Sequence, residues 1–397
     1  MPADRAARGW LPVAAALFAA GWGANQFTPL AVVYRTQEHW PSVPVAAMFT
    51  TYLLGLLPGL LLGGPFADRL GRRRVVRLAL VLSAAASALL AAAGMSQNAV
   101  YVSRLATGVA AGVILTAGTT WLEELSSGAK RPGAGARRAT YATGGGFAAG
   151  ALTAGVLAEW LPRPMVLPCL AHSLLALLVL GSTTAVPETA SRSAVVPWAP
   201  HIARLRRAAV THPRFVRVVL PASPAVFCAA TVAYVVLPSL VADRVPGYAP
   251  VFSGLVTALT LAVGTAVQPL AVRLHHAHSA RATIVSMVTV IGGLLVGACA
   301  VYGDSAGLVP AAAVLLGAGY GLTLASGLLE IERLATPKAV PSTAILYQGA
   351  TYSGFLTPLL LAVTAGAAPY PALLAALAAV GLLCLVITAW FSRRSLP

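Results

Sequence analysis

Arg104, in the stretch RLATGVAAG, is the one charged residue of its apolar run, and Asn25 and Gln26, in GANQFTP, sit in the middle of another. Tyr52, Tyr234, Gln268, Tyr320, Tyr347, Gln348 and Tyr352 recur in similar settings along the chain. A guanidinium can hold an anion or an acceptor, while amides and phenols both donate and accept. No His/Asp/Glu cluster, nucleophile motif or nucleotide-binding loop accompanies them. The chemistry on offer is recognition of a solute, not bond breaking, so neither an enzyme nor a cofactor is expected. The four cysteines (Cys169, Cys228, Cys299, Cys384) lie inside apolar runs. They read as small packing residues rather than a disulfide framework or metal knuckle.

The elements that carry these residues follow from composition. Of 397 residues, 58% are hydrophobic and 10% charged, and mean hydropathy is +0.80. A soluble domain needs about 25% charge to cover its surface. A bilayer core takes about 20 apolar residues as helix, and twelve runs meet this: 11–34, 45–66, 78–94, 99–122, 141–161, 165–185, 218–242, 251–274, 282–302, 306–329, 342–365 and 371–391. They are called spans 1 to 12. The first is too long, and too plainly followed by others, for a signal peptide. No strict period of two marks a lipid-facing barrel. The expectation is an all-α integral membrane protein.

The net charge of +16 would suggest nucleic acid in a soluble chain. Here the basic residues stand in clusters between apolar runs, which points to a membrane surface and no nucleic acid. With the N-terminus inside, 23 of the 27 Lys and Arg fall on the cytoplasmic side, against Arg35, Arg163 and Arg244 outside. That bias predicts both termini cytoplasmic. None of the eleven acids sits at the centre of a span: Asp68, Glu123, Glu124, Glu188, Glu330 and Glu332 are at inner ends, and Glu38, Glu159, Asp243 and Asp304 at outer ends.

Two six-span halves, 1–188 and 216–397, are expected around a cytoplasmic linker, 189–215. The linker stretch HIARLRRAAVTHPRFVR reads either as a basic helix on anionic headgroups or as a solvated connector. The halves echo one another. WLEELSSGAK matches LLEIERLATPK, placing Glu123 opposite Glu330, and GPFADRLGRRR is echoed by QPLAVRLHHAHSAR, placing Pro65 opposite Pro269 and Arg69 opposite Arg273. Nearly constant spacing predicts a duplicated six-helix unit. In the first copy, the sharp reversal between spans 2 and 3, about eight residues, suits Gly71 with positive φ. Gly63 and Gly64 suit a close approach of span 2 to a neighbour in the other half. Asp68 can meet Arg69, Arg72 or a helix N-terminus.

GGPFADRLGRRR resembles the signature between the second and third helices of the major facilitator superfamily. Arg104 resembles that family's buried arginine on the fourth helix, and Pro187–Glu188–Thr189 closes span 6 as in many members. The resemblance implies a polar cavity lined by spans 1, 4, 7 and 10 and flanked by 2, 5, 8 and 11. Asn25, Gln26, Tyr52, Arg104, Tyr234, Gln268, Tyr320 and Gln348 lie on those spans and are the expected substrate-binding set. For a single amide, an interhelical hydrogen bond is the competing reading; Arg104 could instead snorkel to the surface. The resemblance also implies a conformational latch against span 11 formed by Gly64, Asp68, Arg69, Gly71, Arg72 and Glu123, with Glu124 nearby. His172 reads as a structural histidine near Ser173, ahead of a proton relay.

GFAAGALTAG on span 5 partly resembles the exporter signature of the family's drug-efflux branch: Gly146, Gly150 and Gly155 fit, while Ala151 and Ala154 depart from it. The same residues suit small-residue packing. The mid-span carboxylate of many proton-coupled exporters is missing. The expected function is secondary transport in the cytoplasmic membrane by a lipid-embedded monomer rocking its two halves around a central site. It would export small apolar or amphipathic molecules in exchange for protons. The alternative is an importer or facilitator of a small organic solute, anionic if Arg104 binds it. A non-transporting receptor would need neither echo nor latch.

Overall fold

Proline and glycine decide where the long apolar helices bend and where they touch. The computed structural model describes residues 9–93, 96–127, 133–190, 212–276, 279–334 and 340–393, in which helices and no strands occur. The helices are α1 (Leu11–Asn25), α2 (Phe27–Thr36), α3 (Ser42–Leu70), α4 (Arg72–Ala92), α5 (Gln97–Leu125), α6 (Ala134–Trp160) and α7 (Leu167–Ala185). After the linker come α8 (Phe215–Leu240), α9 (Ala249–Leu274), α10 (Arg281–Tyr302), α11 (Ala306–Leu334), α12 (Val340–Tyr352), α13 (Thr357–Thr364) and α14 (Tyr370–Phe391). The basic linker stretch 201–211 lies outside the described residues.

Nine of these helices are long and apolar enough to cross a membrane. The other spans fall short for local reasons. Span 1 is divided into α1 and α2 because Pro29 has no N–H for the Asn25 carbonyl one turn back. Span 11 is divided into α12 and α13, where Pro358 cannot bond to Gly354; that carbonyl accepts from Thr231 Oγ1 at 3.4 Å instead. α6 is long enough, but its Gly, Ala and Thr lower its hydropathy.

Two compact units result. One holds the described residues up to 190 together with Gly247–Ala258, and the other holds the rest. In the first, α3 and α5 meet through glycines on both sides. A Cβ at Gly59 would come within 2.5 Å of the Val109 carbonyl oxygen, and one at Gly112 within 2.5 Å of the Leu56 oxygen. Gly55 and Gly108 face backbone in the same way. Such contacts hold membrane helices together where lipid removes the hydrophobic drive between them. The second unit repeats the device, with Gly264 of α9 against Gly321 of α11 and Gly317 against the Thr260 backbone. Spans 8 and 10 in the second unit thus pack through glycine in the same manner as spans 2 and 4 in the first.

Large apolar side chains point outward: Leu54, Leu78, Leu178 and Leu383 are exposed, as a lipid-facing surface requires. Two expectations change here. Gly63 packs within its own unit, against Val113 and Thr116 of α5, while a Cβ at Gly64 would meet nothing within 4 Å. The connection between spans 2 and 3 shrinks to Gly71 alone, at φ +95°, because both helices run past their apolar stretches. Gly55→Leu is therefore expected to cost more than about 3 kcal/mol, read as loss of monodisperse protein on mild heating in detergent. Gly64→Leu should leave that melting curve unchanged.

Candidate functional site

Three sets of polar and aromatic residues are gathered by these helices, each within one unit. The first surrounds Gly71. Arg72 Nη1 lies 2.6 Å from Asp68 Oδ1, one turn back, and Nη2 lies 3.3 Å from Glu124 Oε1. The start of α4 has bare N–H groups and the positive end of a helix dipole. Glu188 answers both, its carboxylate accepting from Arg72 N at 2.8 Å and Arg73 N at 3.0 Å. Gly71 makes room, since a Cβ there would stand 2.5 Å from Glu188 Oε2. Trp121 Nε1 donates to the Pro187 carbonyl at 3.1 Å, and Thr189 Oγ1 donates to the Glu124 carboxylate. The Pro-Glu-Thr segment is thereby fastened onto the Asp-Arg motif. Glu124, not Glu123, makes the ion pair. Glu123 backs onto Gly135, where a Cβ would lie 2.7 Å from its Cα. The sequence offered adjacent acids, and helix phase chose between them. Arg69 is exposed at the end of α3.

The second set lies at the α1–α2 break. Arg104 is 1% exposed, so it does not snorkel. Its guanidinium carbon sits 4.4 Å from the Phe27 ring centre and 4.9 Å from that of Tyr52, and Nη1 donates weakly to the Ala24 carbonyl at 3.5 Å. Aromatic faces attract such a cation, more so when it is desolvated. Asn25 and Gln26 are buried at the same break. Gln26 Nε2 donates to Ser87 Oγ at 2.8 Å. His172 is also buried, and its partner is Ser87 rather than Ser173, whose hydroxyl bonds the Ala84 carbonyl. Arg104 thus stands against Tyr52 and the Ala24 carbonyl at the break that Asn25 and Gln26 form.

The third set is in the second unit. Phe227 of α8 stacks on Tyr352 at 5.1 Å and lies 4.5 Å from Phe355 and 5.9 Å from Tyr320. Gln348 stands one turn before Tyr352 on α12. Tyr347 is spent on packing, its hydroxyl donating to the Thr323 carbonyl at 2.9 Å. Tyr234 is buried in a π-helical turn, Val232–Val236, next to Pro238, which denies that turn a regular hydrogen bond. Gln268 is half-buried on α9, four residues past Gly264. Sequence reasoning passed over Phe227 because a phenylalanine in an apolar run carries no signal of its own. It also missed the buried pair in which Arg214 Nε and Nη2 bind Glu330 at 2.7 and 3.0 Å while Nη1 reaches the Ser392 carbonyl.

A family model of the Major Facilitator Superfamily matches residues 13–354. The chain belongs to this superfamily. It is a membrane transporter rather than an enzyme. Solved structures agree on the fold. A point mutant of the nucleoside transporter NupG superposes with a TM-score of 0.78 at 13% identity, over 96% of this chain and 99% of that one. A POT family transporter in complex with 5-aminolevulinic acid gives 0.80 at 12%, over 98% and 97%. The inward-open xylose transporter XylE from E. coli gives 0.69 at 12%, over 98% and 96%. A sequence search of curated proteins returns no match.

Proposed function

We propose that this superfamily member is a twelve-span, monomeric secondary transporter of the cytoplasmic membrane. Both termini are cytoplasmic, and it exports small apolar or amphipathic molecules in exchange for protons. The domains are the two six-span halves, 1–188 and 216–397, with 189–215 as the cytoplasmic linker. The observation that carries the reading is the α1–α2 break, where Arg104 lies buried between aromatic rings beside Asn25 and Gln26. Burying a guanidinium is costly unless it is held or used. The substrate-contacting set is Asn25, Gln26, Tyr52, Arg104, Tyr234, Gln268, Tyr320 and Gln348, joined by Phe227. Gly64, Asp68, Arg69, Gly71 and Arg72, with Glu124 in place of Glu123, form the latch.

Export is favoured by the small-residue face of α6. Gly146 and Gly150 let it lie against Phe18 and Trp22 of α1, and Gly155 against Pro250 at the start of α9. A second reading, import of a small anionic solute, is favoured by the buried charge of Arg104. Proteoliposomes loaded with a solute panel separate the two. A proton gradient of one pH unit contributes about 1.4 kcal/mol, and 100 mV about 2.3 kcal/mol per charge. Net export is expected to stop when an uncoupler collapses both. Concentrative export that survives the uncoupler would remove protons as the driving ion.

A further inference from the structure

The polar chain behind Gln26 has a direction that chemistry alone fixes. His172 Nε2 lies 3.0 Å from the Ala19 carbonyl oxygen, and Nδ1 lies 2.7 Å from Ser87 Oγ. A carbonyl oxygen can only accept, so Nε2 carries the proton. In a neutral imidazole Nδ1 is then an acceptor, and the Ser87 hydroxyl donates to it. Having donated, Ser87 accepts from an N–H, which only the Nε2 side of the Gln26 amide can supply, at 2.8 Å. The amide oxygen is therefore turned away from Ser87. Gln26 Oε1 is buried and accepts no hydrogen bond among the described residues, although Gln26 is 1% exposed.

Burial forbids the reversed arrangement as long as the ring is neutral. It would place the Nε2 lone pair against the Ala19 oxygen, or require a charged imidazole in an apolar setting. The surroundings give such a charge no carboxylate. α1 carries no titratable side chain between Leu11 and Asn25, and α4 none beyond Arg77. On α7 the neighbour is Cys169, whose thiol donates to the Met165 carbonyl at 3.3 Å. On α6, Arg137, Arg138 and Tyr141 stand at one end, and Glu159 at the other bonds Val251 N. Gly23 completes the seat, since a Cβ there would stand 2.6 Å from the ring.

We propose that His172, acting through Ser87, is a positioning residue that keeps Gln26 Oε1 turned from Ser87 as an unpartnered acceptor at the α1–α2 break and so selects solutes bearing an N–H or O–H donor. A buried amide oxygen without a partner calls for an explanation, and a donor on the solute supplies one. The inference rests on the proposed solute site at the α1–α2 break and adds what that site asks of its ligand.

Two measurements on the full chain in nanodiscs test it. The first uses nitrogen-15 in histidine and glutamine side chains, with His172→Gln and Gln26→Met assigning the signals. The expected result is a neutral ring protonated at Nε2, an Nδ1 shifted by an accepted hydrogen bond, and a Gln26 amide protected from exchange. Ser87→Ala should remove the Nδ1 shift and the protection together, and Ser87→Thr should restore both. A ring protonated at Nδ1, or a Gln26 amide indifferent to Ser87→Ala, overturns the positioning role. The second compares binding of indole-3-acetate with its N-methylated analogue, which differ by one donor. The wild type should prefer the N–H form about tenfold, and Ser87→Ala should abolish the preference. Equal binding in the wild type, or binding of neither, overturns the solute class. A chain that moves no solute in proteoliposomes would sink the transporter reading, and the nitrogen measurement would still decide whether His172 orients Gln26.

Discussion

Arg104→Ala is expected to lower net solute transport about a hundredfold while leaving a folded protein. Removing a desolvated charge from its partner costs roughly 2–5 kcal/mol in comparable buried pairs, and a hundredfold loss falls inside that range. How the loss divides between binding and uphill movement identifies the role. If the guanidinium grips an anionic group, Arg104→Ala loses binding, and Arg104→Lys keeps part of it, because the ammonium retains charge but not the planar fork. If Arg104 serves coupling in an exporter of apolar molecules, binding survives in Arg104→Ala and only concentrative transport is lost. Equilibrium binding beside counterflow and gradient-driven flux separates these cases. The geometry makes a third outcome, wild-type behaviour in both variants, unexpected. The side chain is enclosed by Phe27, Tyr52 and the Ala24 carbonyl, and such behaviour would remove it from the site.

The second large effect concerns Asp68. Its side chain is 65% exposed and pairs with Arg72 on the adjoining helix. Exposed pairs contribute well under 1 kcal/mol to stability after solvent screening, so Asp68→Asn should melt as the wild type does. Transport should nevertheless fall tenfold or more, because only Oδ1 is engaged with Arg72 and the carboxylate is proposed to serve a second partner during the cycle. Accessibility at the Gly71 end should rise, read as faster labelling of a single cysteine placed at Gly64. Full transport in Asp68→Asn would reduce the basic cluster to a topological anchor. Glu188→Gln, in the segment after α7, gives a control at the same loop: it weakens the cap on α4 without touching the Asp68–Arg72 pair.

Much of this was legible in the chain. An uncharged run long enough to cross lipid has few alternatives to helix, so hydropathy marked the nine described helices that can cross a membrane, and the Asp-Arg-x-Gly loop pointed to the superfamily. The positive φ at Gly71 was readable too, since a sharp reversal of about eight residues between two spans suits a glycine. That Arg104, alone in an apolar run, would be buried against partners rather than left in lipid was readable from the cost of an unpartnered charge there.

What the sequence could not decide was which backbones approach and which side chains share a helix face. Glu123 and Glu124 are equivalent on paper; their helical phase sends one to Arg72 and the other to Gly135. Gly63 and Gly64 are equally small, yet only Gly63 faces α5. Glu188, far along the chain, becomes the cap of α4, and Ser87 and His172 come to lie behind Gln26, through contacts between residues many tens of positions apart. Composition and periodicity report how each segment meets lipid, a one-dimensional property. Hydrogen-bond partners depend on distances of about 3 Å, and only helices packed on one another fix those.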